Sequence, residues 1–194
     1  KARGSYMNVA ELNSRLPLVQ LADVAHKVVL IRVDHNVVDK LGIKDPYRIE
    51  ASLGTLFHIV SRCGLPIIMT HVGRPRNKAT GEIDYSESNS IQPVVQHLQR
   101  KLDRPFVMPE VDMSSPHGIE TLGDSMDPLV EALREHQIGG IYLPNTRWFR
   151  GEEGTEEEKD ALASELASHA DLYVNDAFGS WQPHMSTHTI AKHL

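Results

Sequence analysis

The chain has a single cysteine, Cys63, so no internal disulfide can form, and such sparing use of cysteine fits a reducing compartment, read here as cytoplasmic. It has no excess of positive charge. Twenty Lys and Arg stand against 26 Asp and Glu, a formal net charge of −6, which argues against general binding to nucleic acid or to an anionic membrane. No apolar run approaches the length of a membrane span, and the first residues, KARGSYMNVAEL, contain no signal-peptide core. Aromatic residues are scarce at 6%, but 40% hydrophobic and 24% charged residues make an ordinary globular balance. A length of 194 residues reads as one domain with enough chain to bury a core, with 1–27 as an irregular lead-in and 28–194 as the folded unit.

What is present is organised around residues 28–36, VVLIRVDHN. An unbroken apolar run predicts a strand buried on both faces, the parallel-sheet type. Arg32, Asp34 and Asn36 follow at a spacing of two, which puts them on one side of an extended chain, at the edge of a pocket beyond the strand end. The plainer alternative is an Arg32–Asp34 ion pair.

Further elements follow in order. Asp45 as cap, Pro46 at the first helical position and Gly64 at the far end frame a helix, with Leu53, Leu56, Phe57 and Val60 at helical spacing. Strands are predicted over 65–70, 105–109, 138–144 and 171–175, and helices over 90–102, 127–137 and from the acidic run 151–160 to about 169. Ser90 and Asp127 are the expected caps of the two middle helices. Residues 77–90 and 110–126 read as loops, and the tail from Ser180 as a loop with the start of a helix. Alternation of strand and helix predicts an α/β fold, a three-layer sandwich with a mainly parallel, Rossmann-like sheet and helices on both faces.

The polar residues fall where such strands end. Arg32, Asp34 and Asn36 follow the first strand, His71 and Arg74 the second, Arg147 the fourth, and Asn175 and Asp176 the fifth. Arg48 falls in a first helical turn, where the helix dipole opposes a cation unless an anion binds there. A parallel sheet gathers all these ends at one rim. Arginine forks match carboxylate and phosphate oxygens, so the pattern implies a pocket for a small, multiply charged anion, with Asp34 and Asn36 orienting a hydroxyl on it. The acidic run reads as a solvated helix entry rather than a metal site. His184, His188 and His193 brush helical spacing but lack a carboxylate or thiolate to complete a metal set.

At these residues the sequence resembles phosphoglycerate kinase, specifically the family's N-terminal half. RVDHN at 32–36 is similar to the family's RVDFN, DPYRI at 45–49 to DDTRI, THVGRP at 70–75 to SHLGRP, and NTRWFRGEE at 145–153 to NTRFHKGEE, while YVNDAFG at 173–179 resembles its strand-and-turn motif. The matches lie in order, at family-like spacing. The resemblance implies transfer of a phosphoryl group between ATP and the carboxylate of 3-phosphoglycerate, in glycolysis and gluconeogenesis. It implies that Asp34 and Asn36 contact the hydroxyl and carboxylate end of the acid, that Arg48 is catalytic and stabilises the phosphoryl group in flight, and that His71, Arg74 and Arg147 bind substrate. Mg-ATP or Mg-ADP is implied for a C-terminal half that this chain lacks, so the chain alone is expected to be inactive, and to be a monomer.

The sequence also departs from the family. Where the family reads GTAHRAHAS, this chain reads Gly179-Ser180-Trp181-Gln182-Pro183-His184-Met185-Ser186, one residue shorter and without the substrate-phosphate arginine. His184 aligns with the second family histidine, Gln182 or Arg150 could partly substitute for the lost contact, and Arg32 and His184 are further secondary site candidates. Loss of one charged contact weakens binding by about ten- to a hundredfold. His35 replaces an apolar aromatic residue and reads as a packing change with no evident partner. The departures leave a second reading open, a non-catalytic kinase-like module that binds a phosphorylated metabolite or a protein.

Overall fold

The computed structural model describes residues 18–180 and 182–194; the first part of the expected lead-in, 1–17, and Trp181 of the altered turn lie outside the described residues. Val28–Val33 forms β1, buried at every position. Its side chains divide by parity: Val28 and Leu30 enter one core, Val29, Ile31 and Val33 the other. Two covered faces are why the strand reads as an unbroken apolar run. A short antiparallel hairpin, β2 (Val38–Asp39) and β3 (Gly42–Ile43), leads to α1 (Tyr47–Val60). Next come β4 (Leu65–Met69), α2 (Gln92–Leu102), β5 (Phe106–Val107), α3 (Met126–Arg134), β6 (Gly140–Tyr142), α4 (Glu156–Ser168) and β7 (Leu172–Asp176).

The five longer-range strands form one parallel sheet in the order β5-β6-β4-β1-β7. Helices α1 and α2 cover one face through Ile49, Leu56, Ile59, Val94, Val95 and Leu98. Helices α3 and α4 cover the other through Met126, Leu133, Leu162, Ala163 and Leu166. This is the expected three-layer α/β sandwich with a parallel sheet. Each fully buried aliphatic side chain contributes about 1.5–3 kcal/mol.

The element ends differ from expectation for local reasons. Asp45 accepts the Tyr47 N–H at 2.9 Å from one residue ahead of the N-cap, which is Pro46. At the far end the left-handed residue is Cys63 (φ 61°), not Gly64. Gly64 is needed for space: a Cβ there would stand 2.6 Å from the Ile59 side chain and 2.9 Å from its carbonyl oxygen. Ser90, expected as the cap of α2, likewise stands one residue early: its Oγ accepts the Gln92 N–H at 3.1 Å, but the N-cap is Ile91. Asp127, expected as a cap, instead lies inside the first turn of α3, where Ser125 is the N-cap and makes no capping bond. A carboxylate is favourable at either position, so sequence could not separate them. The acidic run enters α4 through a capping box between Thr155 and Glu158. The loop 110–126 is less open than its lack of periodicity suggested, since Ile119, Leu122 and Met126 are core residues and Ile119 bridges to Phe149. The tail ends in a 3-10 turn, Thr189–Lys192, with Met185 and Ile190 buried beside α4. At the other end, Val24 of the lead-in belongs to the core.

Candidate functional site: an anion basin at the strand ends

Because the sheet is parallel, β1, β4, β6 and β7 deliver their carboxyl ends to one rim. Asp34 leaves β1 there and accepts two contacts from Arg48 Nη1, at 3.1 and 3.2 Å. Arg48 sits in the first turn of α1, and Asp34 supplies the negative charge that the dipole argument demanded. The Arg48 side chain is 54% exposed, so the pair is worth only about 0.2–1 kcal/mol and leaves the guanidinium open to another anion. Gly179, in the turn after β7, packs so closely that a Cβ on it would collide with Asp34 Oδ2. The alternative Arg32–Asp34 pair does not form; Asp34 pairs with Arg48 and Arg32 turns inward.

Asn36 Oδ1 accepts the Gly73 N–H at 2.9 Å, joining the loops after β1 and β4. A second, fully buried brace, Asn145, was not singled out from the sequence. Its Oδ1 accepts from the Val72 and Arg147 N–H groups, both at 3.1 Å, and its Nδ2 donates to the Val72 and Asn89 carbonyls, both at 2.8 Å. With its donor and acceptor capacity used, Asn145 fixes where Arg147 begins. An amide directly after an apolar run and two residues before an arginine is the signal that would have found it. Arg147 then donates from Nη1 to the Gly73 carbonyl at 2.6 Å and from Nε to Glu153 at 3.1 Å.

His71 is buried beside them. Its Nδ1 lies 2.7 Å from Arg32 Nη2. Arginine has only donors, so Nδ1 accepts and the ring proton sits on Nε2. Burial, then the charges of Arg32, Arg147, His184 and Arg48, push the imidazole pKa down to about 3, so His71 is a neutral N–H donor. Arg32 is 1% exposed, with Nε donating to Ser186 Oγ at 2.9 Å and Nη1 to the Val33 carbonyl. Burial lowers its pKa, and buried Glu152 is the strongest opposing influence.

The remaining sequence candidates separate. Arg74 is exposed, and among the described residues no carboxylate pairs with it. His184 joins the basin, 3.6 Å from the same Glu153 that holds Arg147. Gln182 is exposed, and its carbonyl serves the tail turn by accepting from the His184 N–H and Thr187 Oγ1. Arg150 is drawn elsewhere, by Glu158 at 2.6 Å and Glu120 at 3.4 Å. The histidines weighed as metal ligands are on separate carboxylates, His193 on Asp160 and His184 on Glu153. Among the described residues no three His, Cys, Asp or Glu side chains are grouped to hold a metal ion.

His35 is not partnerless, contrary to the reading from sequence. Nδ1 lies 2.8 Å from the Tyr142 hydroxyl and Nε2 lies 2.8 Å from Ser52 Oγ. Ser52 donates its own proton to the Ile49 carbonyl, so it accepts from His35 Nε2–H, and Tyr142 donates to Nδ1. Burial pushes the His35 pKa down to about 3 and the Tyr142 pKa up, which keeps this β6–β1–α1 chain neutral.

The geometry is that of a cationic basin with two carboxylates at its edge, Asp34 on Arg48 and Glu153 on Arg147 and His184. Comparison with known proteins matches it to a family. The family model described as phosphoglycerate kinase matches residues 19–194. The chain belongs to the phosphoglycerate kinase family. Among curated relatives, the phosphoglycerate kinase of Rippkaea orientalis is 35% identical over 175 residues, covering 89% of this chain and 39% of the relative. That of Chlamydia felis is 36% identical over 166 residues, covering 84% and 37%. The chain thus spans less than half the length of the phosphoglycerate kinases it matches. The solved phosphoglycerate kinase of Coxiella burnetii superposes with a TM-score of 0.62 at 24% identity, over 87% of this chain and 37% of that one, a likeness of fold. That of Pyrococcus horikoshii gives 0.60 at 26% identity, over 82% and 36%. No described helix is long and apolar enough to cross a membrane.

Proposed function

We propose that this chain is the acid-binding half of a phosphoglycerate kinase, and that its basin holds 3-phosphoglycerate, or 1,3-bisphosphoglycerate in the reverse direction, for phosphoryl transfer between ATP and the substrate carboxylate. The observation that carries this reading is the convergence of Arg48–Asp34, Asn36, His71 and Arg147 at the carboxyl ends of β1, β4 and β6 in a chain of this family. Asp34 accepts from the substrate hydroxyl. Arg48, half exposed at the α1 start, is the catalytic residue and offsets the charge on the moving phosphoryl group. His71 donates from Nε2, and Arg147 and Arg74 grip anionic oxygens. Phosphoryl transfer is mainly positioning and charge stabilisation, which an arginine-lined rim supplies. Mg-ATP or Mg-ADP belongs to the family's reaction. By the family resemblance that nucleotide is assigned to the C-terminal half, so residues 28–194 alone are expected to be inactive. A monomer in the cytoplasm fits this role.

One observation favours the second reading, a kinase-like module without catalysis. Arg147 is already neutralised by Glu153, and 180–186 contains no arginine to replace it. Amide shift mapping during titration with 3-phosphoglycerate tests the choice. Perturbations at Asn36, Gly73, Arg147 and the first turn of α1 are expected. A saturating ligand that leaves those amides unmoved would overturn the substrate assignment.

A further inference from the structure

A buried polar chain runs beneath the basin and has no place in the role just described. Glu152 is 1% exposed. Its Oε1 accepts from Ser186 Oγ at 2.6 Å and from Thr146 Oγ1 at 3.2 Å, and its Oε2 accepts the Ser186 N–H at 3.1 Å. Ser186 is held again at its carbonyl, which accepts from the Tyr173 hydroxyl at 2.9 Å. Since Ser186 Oγ spends its proton on Glu152, its lone pair is free to accept from Arg32 Nε, at 2.9 Å. Arg32 in turn reaches His71 Nδ1 with Nη2. His71 Nε2 has no protein partner among the described residues, and the residue keeps 9% of its surface exposed.

We propose that Glu152 and Ser186 are positioning residues for the basin: acting through Arg32, they hold His71 in the tautomer that presents Nε2–H to the bound anion. The proposal rests on the basin being the acid site. The fork of a guanidinium is planar, so fixing Nε on Ser186 and Nη1 on the Val33 carbonyl fixes the direction of Nη2. Without the Ser186 acceptor the plane is free to turn, and His71 loses the donor that keeps its proton on Nε2. The groups facing His71 come from four parts of the fold: Arg32 on β1, Arg48 on α1, Arg147 after β6, and His184 in the tail. Of these, among the described residues, only Arg32 lies within hydrogen-bond distance of a His71 ring nitrogen, so it is the group that chooses between them. Glu152 also offsets the buried charge of Arg32, which a purely structural role would explain; the tautomer is what separates the two roles.

The test is the ¹⁵N spectrum of the His71 ring in the chain as it stands, in Ser186→Ala and in Glu152→Gln. The unaltered chain should show one Nε2–H tautomer, unchanged from pH 8 to pH 6. Ser186→Ala keeps both buried charges and should show averaged ring shifts of a tautomer mixture, with 3-phosphoglycerate binding weakened about tenfold. Glu152→Gln should shift in the same direction. Thr146→Val, which removes the other side-chain donor to Glu152, should leave the tautomer alone. If Glu152→Gln does not fold, Ser186→Ala decides by itself. A folded Ser186→Ala chain with His71 still locked as Nε2–H would overturn the proposal. Absence of 3-phosphoglycerate binding by the unaltered chain would overturn the substrate reading instead, and the ring spectrum would still judge the relay.

Discussion

Glu153 holds Arg147 at the rim of the basin. Its carboxylate lies 3.1 Å from Arg147 Nε and 3.6 Å from His184 Nε2, where an incoming anion must compete with it. Glu153→Gln should therefore tighten 3-phosphoglycerate binding by about two- to fivefold, read by calorimetry; weaker binding would mean that Glu153 orients Arg147 rather than competing for it. His35 makes a different residue-scale prediction. His35→Phe restores an apolar ring but strands the Tyr142 hydroxyl in the core and leaves Ser52 Oγ with only its bond to the Ile49 carbonyl, at a cost of about 1–3 kcal/mol in urea unfolding. Adding Tyr142→Phe should recover part of that loss; a double variant less stable than the single one would show that the ring, not the stranded hydroxyl, was the problem. Sequence showed His35 as an anomaly but not its meaning, because Tyr142 and Ser52 lie 107 and 17 residues away and meet it only once β6 and α1 are packed on β1.

Among the elements, legibility followed the strength of local chemistry. The apolar runs of β1 and β4 and the start signals of α1 and α4 were plain, since buried parallel strands and capped helices leave compact signatures. β5 and β6 proved shorter than expected, two and three residues, because Pro105 and Pro109 flank one and Gly139 precedes the other. The loop 110–126 hid its core residues because irregular chain buries side chains without a period. The capping box of α4 gives an element-scale prediction: Thr155→Ala removes the acceptor of the Glu158 N–H and should cost about 1 kcal/mol in urea unfolding. No change in stability would mean that the acidic first turn alone sustains the helix start.

For the whole molecule, the rim was the most legible part of the site, because a parallel sheet converts chain order into proximity. What sequence missed lies one layer below, in Asn145, Glu152 and Ser186, whose roles are hydrogen bonds between distant segments. Two buried histidines also tie the fold to pH. His35 and His71 are both held neutral, with pKa values pushed down to about 3 against about 6.5 in the unfolded chain. The unfolded state then binds more protons between those values. Their contribution to stability is complete above about pH 6.5 and is lost as pH falls towards 3, each histidine approaching about 1.4 kcal/mol per pH unit. Urea unfolding across pH 7.5 to 5 should show this slope, and His35→Phe should remove one proton's share; an unchanged slope would mean His35 is not buried neutral.

The proposed acid site has to hold its substrate without the arginine that the family motif carries in the turn at 180–186. Calorimetric titration of the chain with 3-phosphoglycerate, repeated on Arg147→Ala, tests this most directly. Binding is expected with a Kd between about 1 μM and a few millimolar, weakened about tenfold or more by Arg147→Ala. A folded chain that takes up no 3-phosphoglycerate, or binds it equally well without Arg147, would contradict the assignment of the acid site.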